Sequence, residues 1–206
     1  MRGRDVVLLI VILLLAGCTG LPGVQPDAGT ATSPGTTTAV ESPAAETPAL
    51  PAGESWTVTI TEVIDGDTMD VRFENGSTER IRLLGVDTPE PYAEVDPAEW
   101  DDVPNTDAGR AWLRGWGDNA SAFAEQRLGG EDVRIVTDEM AGRRGEYGRL
   151  LVYVVIDGDV FGGQLLEDGY ARRYETEFQL YDRFSAAEAQ AQAADRGVWG
   201  FGDGSS

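Results

Sequence analysis

WTVTITEVIDGDTMDVRF, residues 56–73, decides how the folded part of this chain begins. β-Branched residues alternate from Trp56 to Ile64, Asp65-Gly66-Asp67 interrupts them, and the alternation resumes from Thr68 to Phe73. Period-two patterning on both sides of an Asp-Gly signal predicts two antiparallel strands joined by a turn. Glu74-Asn75-Gly76 is a second turn signal and Thr78 to Leu84 a third strand, so the segment reads as a three-stranded meander. The pentapeptide VIDGD returns at Val155–Asp159. Asp-Gly-Asp can turn a chain or present carboxylates to a cation, and neither copy settles the question alone.

Downstream, Pro89 and Pro91 stop the strands, and an acidic stretch from Tyr92 to Asn105 reads as a loop. A helix is predicted from about Thr106, because Trp112, Trp116, Ala120, Phe123, Ala124 and Leu128 fall on one face at helical spacing. Its tryptophans read as core rather than as a stacking platform. Gly115 and Gly117 weaken its middle, and Gly129-Gly130 ends it. Val133 to Val136 and Arg149 to Ile156 are two more strands. Val160 to Glu167 reads as a short helix, and Glu177 to Asp195 as a last amphipathic one with Leu180, Phe184, Ala187 and Ala191 on one face. Five strands with about three helices predict an α+β fold, a small five-stranded barrel of the OB type.

The amino terminus has a different composition. A charged start, an unbroken apolar run from Val6 to Leu15 and then Leu15-Ala16-Gly17-Cys18 have the layout of an export signal. Leu-Ala-Gly-Cys resembles a lipobox, where cleavage leaves a lipid-modified cysteine; an ordinary signal peptide or an uncleaved anchor, with Cys18 incidental, is the plainer alternative. Thr19 to about Glu54 is rich in Thr, Pro, Ala, Gly and Ser without hydrophobic periodicity, the composition of a disordered linker. As a flexible coil such a linker reaches roughly 35 Å. The expected organisation is a signal peptide over 1–17, a lipidated Cys18 with linker to 54, a folded domain over 55–202 and a flexible tail over 203–206. Such a protein would be tethered by its lipid to the outer face of the cell membrane, and a monomer is expected.

Cys18 is the only cysteine and there is no histidine, which excludes an intramolecular disulfide, thiolate zinc sites and Ser-His-Asp or Cys-His catalysis. Acid–base chemistry therefore falls to carboxylates, tyrosine or arginine-assisted water. From Ser55 onward there are 14 arginines, 31 acids and no lysine, a net charge of −17. Acidity on this scale opposes a polyanionic partner in dilute salt. A lysine-free, Asp/Glu-rich domain also resembles proteins of salt-loving archaea, and at molar salt the Debye length is only ~3 Å. Arginine placement, not net charge, then decides the substrate.

Arginines and acids concentrate in RIRLLGVDTPE, residues 80–90. A strand ends at Pro89 with Asp87 and Glu90 beside the break, and Asp67 adds a carboxylate from another turn, an all-oxygen environment suited to a hard cation. Together, VIDGDT at 63–68, RLLGVDTPE at 82–90, YGR at 147–149, GYAR at 169–172, AEAQA at 187–191 and GVW at 197–199 resemble the staphylococcal-nuclease-like, or thermonuclease, family. The resemblance implies an OB barrel capped by helices and Ca²⁺-dependent hydrolysis of phosphodiesters in DNA or RNA. It implies that Asp67, Asp87 and the Thr88 carbonyl hold Ca²⁺, and that Arg82, Glu90 and Arg149 are catalytic. Tyr147 and Tyr174 match, the second only approximately, tyrosines that contact phosphate and base; for Tyr174 core packing is an equal alternative. Independently, guanidinium groups suit the charge that builds on a phosphodiester attacked by water, and Glu90 is the carboxylate left to orient or deprotonate that water.

Gly145-Glu146 departs from the Asp-Lys pair of the family's best-known member, with Arg143 and Arg144 available to compensate. The 91–105 loop is also longer and more acidic; binding further cations, gating access and simple hydration in brine are its candidate roles, hydration being the plainest. Asp65 is expected to support Asp67, while Asp157 and Asp159 read as turn residues. Sequons at Asn75 and Asn119 fit an extracellular domain, with Asn75 the more accessible. Two other functions remain open from the residues alone: a non-catalytic OB-fold module that binds nucleic acid, and a domain that uses Ca²⁺ only structurally.

Overall fold

The computed structural model describes residues 50–92 and 94–202. The predicted export signal, Cys18, nearly all of the linker and the tail lie outside the described residues. Among the described residues no helix is long and apolar enough to cross a membrane.

The meander forms as expected: β1 (Ser55–Val63), β2 (Thr68–Phe73) and β3 (Thr78–Leu83) pair antiparallel in sequence order. A two-residue strand, β4 (Val86–Asp87), follows, then helix α1 (Asp107–Leu128) and strands β5 (Asp132–Val136) and β6 (Leu150–Ile156). β5 bridges β1 to β6, and β6 returns to β3 in parallel register, Ile81 opposite Leu150 and Leu83 opposite Val152. That last pairing closes a five-stranded barrel of the OB type. The remaining elements are β7 (Asp159–Val160), α2 (Phe161–Glu167), β8 (Arg172–Arg173) and α3 (Tyr181–Ala193).

Strand alternation fills the barrel. Ile60, Met69, Val71, Ile81, Ile135, Val152 and Val154 are fully buried, each adding on the order of 1.5–3 kcal/mol of apolar transfer. α1 starts where the Thr106 hydroxyl accepts from the Gly109 amide and stops at Gly129. Leu113, Ala120, Ala124 and Leu128 form its buried stripe, with Trp112, Trp116 and Phe123 half-buried beside it. Gly117 is a requirement of this packing rather than a weakness. A Cβ there would lie 2.5 Å from the Pro89 carbonyl oxygen, so only glycine lets α1 approach the backbone that carries Glu90.

α3 begins four residues later than the expected 177, because the backbone before it is already engaged. The Gln179 amide donates to Asp138, a buried carboxylate that also accepts from the Tyr153 hydroxyl and the amides of Met140 and Ala141.

The acidic 91–105 stretch is not simply a hydrated loop. Val95, Trp100 and Val103 are buried in a second core with Leu113, Ala191, Val198 and Trp199, where the Trp100 and Trp199 rings lie 5.8 Å apart. The Trp112 indole donates to the Val198 carbonyl at 2.8 Å, in keeping with a core role for the helix tryptophans. Asn75 and Asn119 are both exposed, Asn119 on α1, contrary to its expected lower accessibility.

Candidate functional site

β2 and β3 set the site by register. Thr68 faces Arg82 across the ladder, and the Leu83 amide donates to the Asp67 carbonyl. Ile81 and Leu83 enter the barrel, so Arg82 points the other way, over the turn that holds Asp67. That turn is fixed at both ends: the Asp65 carboxylate accepts from the Asp67 amide at 3.0 Å, and the Ile64 and Asp65 amides both donate to the Thr68 carbonyl. A Cβ on Gly66 would sit 2.7 Å from Ala120 and 2.8 Å from Thr88. Glycine is what lets the turn, α1 and the Asp-Thr-Pro segment converge.

The convergence buries a carboxylate. Asp67 is 1% exposed, and its oxygens accept from Arg82 Nη1 at 2.5 Å, the Thr68 hydroxyl at 3.0 Å and the Thr88 amide at 3.0 Å. The other arm of Arg82, Nη2, donates to Asp87 at 2.5 Å, so one guanidinium clasps two carboxylates from separate turns. Arg149, arriving on the strand that closes the barrel, donates from Nη1 to the Thr68 hydroxyl at 3.2 Å. Among the described residues it makes no ion pair, and its buried Nε has no partner. It is a cation held ready beside the cluster, with the exposed Tyr147 ring 5.4 Å from its guanidinium.

Charge is balanced unevenly here. Burial pushes the Asp67 carboxyl up to about 7; Arg82 opposes the rise, while Asp65 and Asp87 add to it. Burial pulls Arg82 down, but Asp67 and Asp87 outweigh it and hold the guanidinium above its ordinary value. Glu90 is raised by partial withdrawal from water and then by Asp65, with Arg82 and Arg149 working against the rise. Glu90 therefore stands within the field of the same arginines at the open edge of the cluster.

These residues fit a hard cation by donor chemistry. Asp67 and Asp87 offer carboxylate oxygens, and the Thr88 backbone sits against Asp67. Among the described residues no three carboxylates gather into a metal cage. The set would supply only part of a coordination shell, the remainder falling to water or to a phosphate.

Asp65, Asp67, Arg82, Asp87, Thr88, Glu90 and Arg149 thus come together, with Tyr147 at their rim. Tyr174 lies on the other flank of the same cluster: half-exposed rather than core-packed, it lines a cavity of about 220 Å³ with Asp87, Thr88, Glu90, Glu99 and Arg172. The residue that sequence reasoning missed is Arg172. β4 pairs with β8 so that Asp87 lies opposite Arg172, whose Nη2 donates to Asp87 at 2.7 Å and to Glu99 at 3.0 Å. Its guanidinium also lies 5.5 Å from the centre of the Trp100 ring. The acidic loop is thereby fastened to a carboxylate of the site. GYAR carried the signal for Arg172, but only the strand pairing shows which acid it meets.

Comparison of the sequence with known proteins gives the family. Residues 80–200, more than half of the chain, match the family model described as staphylococcal nuclease homologue. An uncharacterized protein of Methanocaldococcus jannaschii is 40% identical over 147 residues, covering 68% of this chain and 70% of that protein. A thermonuclease of Staphylococcus hyicus is 32% identical over 145 residues, covering 69% of this chain and 75% of its own. An endonuclease of Bacillus subtilis is 31% identical over 145 residues, covering 69% of this chain and 61% of its own. With its closed barrel and three helices, this chain belongs to the staphylococcal nuclease family.

Proposed function

We propose that the protein is a Ca²⁺-dependent nuclease that hydrolyses phosphodiester bonds of DNA or RNA. The observation that carries this reading is the pairing of two unlike arginines: Arg82 clasped by Asp67 and Asp87, and Arg149 unpaired among the described residues beside it. A structural ion-pair cluster needs the first and has no use for the second.

In this reading Asp67, Asp87 and the Thr88 carbonyl hold the cation, and Asp65 stiffens the turn beneath Asp67. Bound Ca²⁺ supplies Lewis-acid polarisation of the phosphate and neutralises the two carboxylates. Arg82 exchanges its carboxylate partners for phosphate oxygens, and Arg149 meets the same group from the other side. Two planar forks match the charge that accumulates on the non-bridging oxygens, in a site where water is partly excluded. Glu90 accepts a proton from the attacking water as its oxygen bonds to phosphorus; the bond to the leaving oxygen breaks, and that oxygen takes up a proton from solvent water. The raised pKa of Glu90 makes it a better proton acceptor than a free carboxylate.

We place this activity outside the cell, with the protein tethered through a lipid on Cys18 and held away from the membrane by the 19–54 linker. The absence of lysine and the net charge of −20 support operation in high salt, where short-range arginine contacts survive and long-range repulsion does not.

The test is cleavage of DNA and RNA by the purified full-length protein in Ca²⁺ and in chelator, at low and at molar salt. The proposal expects Ca²⁺-dependent cleavage that persists at molar salt and falls at least ~100-fold in Glu90→Gln. Cleavage that ignores chelator overturns the cation assignment. Binding without cleavage, with Glu90→Gln indistinguishable from the parent, points instead to an OB-fold binding module.

A further inference from the structure

The two sides of the cleft differ in charge. On the Glu90 side, the cavity beside Asp87 is walled by Glu90, Glu94, Asp96 and Glu99, and its one arginine, Arg172, is committed to Asp87 and Glu99. On the Arg149 side, a groove of about 550 Å³ runs past Tyr147, Arg149, Arg80, Asp70 and Glu79. Glu79 also borders a larger cavity of about 630 Å³, which contains Trp56, Phe73, Arg143 and Arg144. The two hollows meet at Glu79, three residues before Arg82 on β3 and so about 10 Å from it along the strand.

The far cavity has the parts of a base-binding site. Trp56 and Phe73 are half-buried, edge to face with centroids 6.2 Å apart, and the Arg143 guanidinium lies 5.4 Å from the Trp56 ring centre. Arg143 and Arg144 are exposed, and each makes a single ion pair from Nη1, with Glu54 at 2.6 Å and Glu79 at 2.5 Å respectively. A guanidinium has five donors, so both keep free N–H groups for phosphate oxygens. Arg80, doubly bonded to Asp70, lines the same groove as Arg149.

We propose that this groove, from Tyr147 past Arg80 and Arg144 to Arg143, Trp56 and Phe73, is a subsite for single-stranded nucleic acid flanking the scissile phosphodiester. A base stacks on the Trp56–Arg143 pair, and backbone phosphates meet Arg144 and the free edge of Arg143. Stacking is indifferent to base identity and survives salt better than long-range attraction does, which suits a domain this acidic. The strand leaves the site on the arginine side because there Asp70 and Glu79 are already ion-paired to Arg80 and Arg144, whereas the other exit sets five carboxylates against Arg172. The inference rests on the nuclease reading for its starting point.

The test compares a 12-nucleotide single strand with a dinucleotide as substrates of the full-length protein at molar salt. It also measures binding of the labelled 12-mer to Glu90→Gln protein by fluorescence anisotropy. Trp56→Ala is expected to lower the ratio of 12-mer to dinucleotide kcat/KM by about tenfold, with Trp56→Phe restoring most of it. Arg143→Gln, an exposed change that leaves the core intact, should lower the ratio about threefold. Both should weaken 12-mer binding by the same factors. An equal fall on both substrates, or no change in 12-mer binding, overturns the subsite. A parent protein that binds the 12-mer, weakens with Trp56→Ala and cuts nothing keeps the subsite and removes the nuclease reading. A parent that neither binds nor cuts overturns both.

Discussion

Val63–Asp67 joins β1 to β2 through a wide turn, whereas Val155–Asp159, identical in sequence, joins β6 to β7 through Asp157 and Gly158 alone, both at positive φ (54° and 88°). In the first copy the Asp65 carboxylate is spent on the Asp67 amide, and Asp67 turns inward to near-complete burial. In the second, Asp157 reaches only Arg127 at 3.4 Å and Asp159 is exposed. The glycines differ in the same way. Gly66 is needed because Ala120 and Thr88 press on it; Gly158 has nothing within 4 Å and is needed for its backbone angle. A pentapeptide does not choose between site and corner; the elements packed against it do.

The largest break in the comparison should come from the acids. Asp67→Asn is expected to lower kcat on single-stranded DNA by about 10³-fold, and Asp159→Asn by less than about twofold; steady-state assays in Ca²⁺ decide it. Comparable losses would make the second copy functional. Gly66→Ala should cost about 2 kcal/mol in urea unfolding through overpacking against Ala120 and Thr88. Gly158→Ala, strained only in φ, should cost about 1 kcal/mol and leave activity intact.

The paired arginines sharpen the contrast further. Arg172→Met frees Asp87 and Glu99 and should weaken Ca²⁺ binding about tenfold by calorimetry. Arg127→Met, at the second copy, should change neither binding nor stability by more than about 0.5 kcal/mol. A separate effect, on pH dependence, concerns Asp138, buried but outside both copies. Burial raises its pKa, yet the Tyr153 hydroxyl and the amides of Gln179, Met140 and Ala141 outweigh it and bring the net value below the ordinary one. Its unfolded form then binds protons that its folded form refuses, so this stability is complete above the ordinary carboxylate range and is lost as pH falls through the depressed value. Acid unfolding followed by circular dichroism should show a shallower low-pH loss in Asp138→Asn than in the parent.

Much of this was legible in the sequence. Period-two patterning located the five long strands within a residue or two, and the order of VIDGDT, RLLGVDTPE and YGR named the residues that meet at the cleft. Arg172 escaped because its role depends on β4 pairing with β8, and two two-residue strands leave no periodic trace. Trp100 escaped because its loop looks solvated: Val95, Trp100 and Val103 are interspersed among acids and prolines, with no helix or strand period to show that they share a core. Gly117 looked like a helix defect because its close neighbour, the Pro89 carbonyl, is distant in sequence.

Calorimetric titration of Ca²⁺ into the parent, Asp67→Asn and Asp159→Asn proteins tests the central claim most directly. The account predicts one cation site in the parent, the same site in Asp159→Asn and its loss in Asp67→Asn. A cation bound equally well by Asp67→Asn, or lost with Asp159→Asn, would contradict it.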